Sequence, residues 1–260
     1  MVICGVFSYF DGMTQALNRR EILALGAASL VARPALAATG RPVIVELFTS
    51  QGCSSCPPAD AYLQTLVGKP GVVALSYHVD YWDYLGWRDT LGSADFSQRQ
   101  YDYATSRHDK NVYTPQTIIN GGEHFVGSQG AVVSRGILNA QSAGAEDWID
   151  VSMSENSTDV MIEVAAGTAR KGATLWLMAY APTVSVEVTK GENAGNTITY
   201  NNVVRKMVPA GMWHGEKTKL VLPRSSVIPA DCKGWVALLQ EGGVGPVIGA
   251  ATGGVAKEKA

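Results

Sequence analysis

The chain has 260 residues, 21 Lys and Arg against 23 Asp and Glu, and a formal net charge of −2. That balance implies no nucleic acid or other polyanion as a partner, and beyond the N-terminal segment no apolar run is long enough to span a bilayer. In chain order, Arg19-Arg20 precede the short apolar run Ile22 to Ala32, and Ala35-Leu36-Ala37 supplies the small residues of a cleavage site. Residues 1–37 therefore read as an export signal, with Met13 the more conventional start. The paired arginines suit the twin-arginine route, while the flanks Asn18 and Glu21 leave the Sec route open. Cleavage leaves a net charge of −3 and removes Cys4, so Cys53, Cys56 and Cys232 would remain in a periplasmic or extracellular compartment where disulfides persist.

Pro42-Val43-Ile44-Val45-Glu46-Leu47-Phe48 is apolar and β-branched, which predicts a buried strand. Thr49 to Cys56 then carry a CxxC pair, and after Pro57-Pro58 the residues Ala59, Leu63, Leu66 and Val67 recur at helical spacing. A cysteine between a strand and a helix N-terminus meets unbonded backbone N–H groups and the positive end of the helix dipole, which favour thiolate. Cys53 is thus the candidate nucleophile and Cys56 the resolving thiol. Two other chemistries fit a bare CxxC. A zinc site needs a second ligand pair, which the scattered His78, His108, His124 and His214 do not form. A purely structural disulfide would close a loop too short to restrict the unfolded chain much.

Val72 to Val79 predicts a second buried strand, followed by His78, Asp80 and Asp83 at its polar exit and by the aromatics Tyr81, Trp82, Tyr84 and Trp87. The polar trio reads as a strand exit. The aromatics read as a lid over the domain, and Tyr81, Trp82 and Trp87 beside a reactive thiol would also suit a groove for unfolded polypeptide. Residues 94–107 predict a helix capped by Ser93 with Asp95 in its first turn. Gln116-Thr117-Ile118-Ile119, the turn Asn120-Gly121-Gly122 and Glu123-His124-Phe125-Val126 predict a hairpin, and Val133, Ile137 and Ala140 mark a last helix.

The order βαβαββα over residues 40–148 is that of a thioredoxin fold, and the CxxC together with Thr114-Pro115 resembles the thioredoxin superfamily. That resemblance implies a cis-proline at Pro115 beside the nucleophile, with Thr114 before it, and a buried acid in the first strand, here Glu46, serving the resolving thiol. Glu46 stands one residue farther from Cys53 than the superfamily pattern, and a strand residue shifted by one faces the other way. From residue 152 the alternation has period two, in Val160-Ile162-Val164, Leu175-Leu177-Ala179, Val184-Val186-Val188, Ile198-Tyr200, Lys219 to Leu222, Trp235 to Leu239 and Pro246 to Ile248. These predict a small all-β sandwich over 152–252, a linker near 142–156, and a loose tail at 253–260. The expected fold class is thus α/β, a thioredoxin-like domain followed by an all-β sandwich domain.

The chain as a whole resembles domain-of-unknown-function family 1223, secreted bacterial proteins with a thioredoxin-like domain, through Glu46 to Asp60, His78 to Trp87, Val112 to Gln116 and the Gly191-Glu192-Asn193 to Arg205 segment. The family implies a fold and a location, not a substrate. The expected function is thiol-disulfide exchange on exported proteins or small-molecule thiols and disulfides, with a redox partner protein and no cofactor. The alternative is a copper-handling module binding Cu(I) through Cys53, Cys56 and His78. Cys232 reads as an inert thiol near a turn.

Overall fold

Seven residues, apolar but for Glu46 and Thr49, form β1 (Val43–Thr49), and every one is buried, as expected of a strand covered on both faces. The structure, a computed structural model, describes residues 41–143 and 147–254; the expected leader, Cys4 and residues 255–260 of the expected tail lie outside them. β2 (Val72–His78) runs parallel to β1, with Thr49 beside His78 at the end of the ladder. β3 (Gln116–Ile119) is antiparallel to β1, placing Glu46 opposite Ile118, and β4 (His124–Val126) closes the hairpin. Asn120 and Gly121 both take positive φ in that turn, 48° and 68°, which is the backbone that a two-residue hairpin turn demands. A Cβ on Gly121 would also lie 2.2 Å from the Gly245 carbonyl oxygen, so only glycine fits.

Alternation along β1 sorts the helices. Val43, Val45 and Leu47 pack with Ala59 and Leu63 of α1 (Pro57–Gln64) and with Val133 and Ile137 of α3 (Gly130–Ser142). Ile44 and Phe48 face the other way, against Phe96 and Tyr103 of α2 (Ala94–Ser106). Ser93 caps α2 by accepting from the Asp95 N–H, as its sequence suggests.

The remaining strands are β5 (Val151–Glu155), β6 (Asp159–Val164), β7 (Ala173–Val188), β8 (Asn196–Trp213), β9 (Thr218–Pro223), β10 (Gly234–Glu241) and β11 (Val247–Gly254), with a single-turn α4 (Arg224–Val227) after β9. They overturn the expected fold class. A helix-flanked thioredoxin-like domain followed by a separate sandwich is not what forms. β1 to β4 are instead one part of an eight-stranded mixed sheet, ordered β11-β10-β7-β8-β2-β1-β3-β4, and only β5, β6 and β9 make a second, three-stranded sheet. The join is at β2 and β8, where Ser76 pairs with Val203 and Asn202 Nδ2 donates to the Ala74 carbonyl at 2.9 Å. One apolar cluster contains Leu75, Tyr77 and Ile118 together with Met178, Val204, Val236 and Leu238, so α2 covers strands from both expected domains. A second cluster, with Val160, Ile162, Leu175, Leu177, Trp213, Trp235 and Leu239, lies between the small sheet and the β7 to β10 end of the large one.

The expected breaks between strands fail for local reasons. The runs Leu175-Leu177-Ala179 and Val184-Val186-Val188 are one strand, β7, which continues through Pro182, and β10 begins at Gly234 opposite Tyr180. Beyond that point β7 pairs only with β8, so a proline's missing N–H is tolerated on the open edge. β5 occupies part of the expected linker, and Gly253 and Gly254 complete β11 rather than beginning a tail.

Candidate functional site

β1 ends at Thr49, and Ser50-Gln51-Gly52 carry the chain to Cys53. Cys53 and Cys56 are joined as a disulfide with α-carbons 5.4 Å apart, an ordinary span. Cys56 is the N-cap of α1, and its N–H donates to the Cys53 carbonyl at 3.2 Å. The expected supply of free helix amides near Cys53 is absent. Pro57 and Pro58 have no N–H, and the N–H groups of Ala59 and Asp60 both donate to the Cys56 carbonyl, at 2.8 and 3.1 Å. The polar group beside the Cys53 sulfur is the Ser55 hydroxyl, 3.4 Å away. Cys53 is 3% exposed and Cys56 is fully buried, although Ser54 and Ser55 between them are exposed.

Gln51 ties this loop to two separate segments, residues 87–90 and the turn between β7 and β8. Its N–H donates to Asp89 Oδ2 at 2.8 Å, and its side-chain oxygen accepts from Trp87 Nε1 at 2.8 Å and from the Thr90 N–H at 3.2 Å. Its carbonyl accepts from Asn193 Nδ2 at 2.8 Å, and the same Asn193 nitrogen donates to the Cys53 carbonyl at 3.0 Å. Asn193 sits in the turn between β7 and β8, in the Gly191-Glu192-Asn193 segment that carries the family resemblance. A Cβ on Gly52 would be 3.1 Å from Trp82 Cβ, so the glycine admits the indole against the loop. Trp82 Nε1 in turn donates to Thr114 Oγ1 at 2.7 Å. The Thr114–Pro115 bond is cis, as expected, and Pro115 is buried. Trp82 therefore connects the CxxC loop to the Thr114-Pro115 segment. Tyr81 is held by its hydroxyl on Gln100 Oε1 at 3.1 Å, and the exposed Tyr84 stacks on Trp82 with ring centroids 6.5 Å apart.

Glu46 lies on the α2 face of β1, the face opposite α1. It is fully buried, pairs with Arg99 Nε at 2.8 Å and accepts from the Tyr103 hydroxyl, while Arg99 Nη2 also donates to Gln240 Oε1 at 2.8 Å. This polar network joins β1, α2 and β10, and it is a structural pair rather than a group beside Cys56. The acid on the other face is Asp60, one helical turn after Cys56 in α1 and 3% exposed. Burial raises its pKa to about 7, against the lowering influence of His78. Neither carboxylate oxygen has a protein hydrogen bond among the described residues, and the same holds for Thr49 Oγ1 and His78 Nε2.

His78 is fully buried, with Nδ1 on Asp89 Oδ2 at 2.9 Å and its ring edge-on to Tyr200 at 4.4 Å. Burial pushes the Asp89 carboxyl upward, but His78 and the N–H groups of Gln51 and Leu91 prevail and hold it below its ordinary value. Asp89, not the nearer Asp80 or Asp83, is thus the partner of His78. Asp80 accepts from Ser97 Oγ at 2.5 Å, and Asp83 from the Asp89 N–H at 3.0 Å. Among the described residues no three His, Cys, Asp or Glu side chains are grouped to hold a metal ion, and Cys53, Cys56 and His78 do not form such a set. Cys232 belongs to the cluster under the small sheet, and burial with Asp231 pushes its thiol up to about 12.

A buried disulfide at a strand-to-helix junction, braced by an aromatic segment and a distant hairpin, defines the class of site. The chain belongs to the family described as protein of unknown function (DUF1223), whose profile matches residues 44–240 and so spans both parts of the large sheet. It is similar to a protein from Agrobacterium tumefaciens known by its crystal structure, with 33% identity and a TM-score of 0.72 over 85% of this chain and 97% of that one. HBP35 of Porphyromonas gingivalis shares the fold alone, at 13% identity and a TM-score of 0.58 over 84% of this chain and 76% of that one. No curated protein matches the chain.

Proposed function

We propose that the protein is an exported thiol-disulfide oxidoreductase acting through Cys53 and Cys56 on thiols or disulfides of exported proteins or small molecules, and resupplied by a redox partner protein. The observation that carries this reading is the Cys53–Cys56 disulfide with a buried acid, its pKa raised to about 7, one turn beyond it. In the reducing direction an incoming thiolate attacks Cys53 Sγ, a mixed disulfide forms and Cys56 leaves as thiolate. Cys56 is shut off from solvent, so the proton it takes comes from inside the protein. Asp60 is the acid available, and when a second thiolate resolves the mixed disulfide the freed Cys53 is left beside the Ser55 hydroxyl. In the oxidising direction the Asp60 carboxylate accepts the Cys56 proton as that sulfur attacks the mixed disulfide. The step needs no organic cofactor.

Export is supported by the leader-like residues 1–37. Cys56→Ser removes the resolving thiol, so the variant should accumulate mixed disulfides through Cys53 when incubated with periplasmic extract. Their absence, in a variant that still alkylates at Cys53, contradicts the exchange mechanism.

A further inference from the structure

We propose that the turn joining β7 to β8 is a cap over the disulfide, and that Asn193 is the positioning residue that holds it closed. This rests on the exchange reading and adds to it the control of access to Cys53. The seven residues Thr189 to Gly195 are exposed except Asn193, which is 5% exposed. Its single amide nitrogen directs both hydrogens at the redox loop, one to the Gln51 carbonyl and one to that of Cys53 itself. Gly191 approaches the aromatic segment: a Cβ there would be 3.2 Å from Trp87 Cβ, and its φ of 76° suits only glycine. The turn is braced internally by the Ala194 N–H on the Gly191 carbonyl and the Gly195 N–H on the Val188 carbonyl. It is therefore built to dock as a unit.

Its support is slender by comparison. From Thr183 onward β7 pairs only with β8, so the cap is the end of a two-stranded ribbon, and such a ribbon has little stability of its own. The ribbon stands on a small cluster of Leu91, Tyr200 and Val203. Between it and α1 runs a groove of about 470 Å³ lined by Pro57, Asp60, Gln64 and residues 196–199. The tip is tied down at Asn193, and along the shaft Val184, Val186 and Ile198 rest on that cluster with the groove open beside α1. A thiolate attacks a disulfide along the S–S axis and needs open approach to the sulfur. At 3% exposure Cys53 does not give that approach to a protein thiol, so the cap lifts before exchange, breaking the two Asn193 bonds.

The test follows reduction of Cys53–Cys56 in the full chain, quenched with an alkylating reagent and read by mass spectrometry. Two reductants are compared, tris(2-carboxyethyl)phosphine and a small reduced dithiol protein. With the cap limiting, the wild-type rate should level off as reductant rises, at the same ceiling for both. Asn193→Ala and the isosteric Asn193→Asp, which lacks the donors, should each raise that ceiling by about tenfold or more, the order expected for two lost hydrogen bonds. Circular dichroism checks that both variants are folded. Wild-type rates in both variants overturn the cap, as does acceleration by Trp82→Ala alone, which would make the indole the cover. A pair that reduces with these ratios but shows no reversible exchange with thiols would refute the oxidoreductase reading and leave the cap intact.

Discussion

Asp60 makes a wager about stability that can be read without knowing any substrate. Its carboxyl moves from an ordinary 3.8 to about 7 in the folded chain, chiefly through burial, with His78, Asp89 and Tyr200 as its charged or titratable neighbours. Between those two values the folded state binds a proton that the unfolded state has lost, so stability falls as pH rises through that window and levels off above it. At about 1.36 kcal/mol per pH unit the full penalty is about 4 kcal/mol by pH 8. Asp60→Asn removes the ionisation while keeping the shape. Urea unfolding of oxidised wild type and variant from pH 4 to pH 8 should give profiles that diverge, the variant gaining on the wild type by up to about 4 kcal/mol at the alkaline end. The effect should appear in the midpoint with the m-value unchanged. Parallel profiles would mean that Asp60 ionises as an ordinary carboxylate, and the proton donor for Cys56 would have to be sought elsewhere.

Arg99→Met leaves Glu46 buried and uncompensated against Tyr103, so it should destabilise the fold by about 3–5 kcal/mol without moving the reduction potential; a variant as stable as wild type in urea would show that the pair is not structural. Cys232→Ser should leave the redox couple and turnover unchanged, since that thiol sits in the other core with its pKa near 12. Loss of turnover in a folded Cys232→Ser protein would make it a relay to the CxxC pair.

Local periodicity carried a long way in this chain. The buried β1, the Ser93-capped α2 and the Asn120-Gly121 hairpin were legible because each depends on neighbours in sequence, whereas the cis bond before Pro115 was expected from the resemblance alone. The assembly was not. Pairing of β2 with β8 joins residues more than a hundred positions apart through one register pair, and nothing in the alternation of β8 announces a partner in the first half of the chain. Glu46 shows the same limit on a smaller scale: its burial was readable, while the face of β1 it occupies turned on a single residue of register. Asp60 did leave a trace, as an acid beside Ala59 and Leu63 on the apolar side of α1, and a charged residue in an apolar stripe was the signal to follow. Asn193 lies in a segment that carries the family resemblance, but its partner was not legible, because a turn asparagine at a hairpin tip has the same sequence whether it meets solvent or the carbonyl of Cys53.

The central claim is that Cys53 and Cys56 form a reversible two-electron couple, and a redox titration of the purified mature protein against a thiol/disulfide buffer, with and without added copper, tests it most directly. The account predicts one transition of two-electron slope, abolished in Cys53→Ser and unmoved by copper. A disulfide that stays oxidised across the whole range, or a midpoint that shifts with copper, would contradict it.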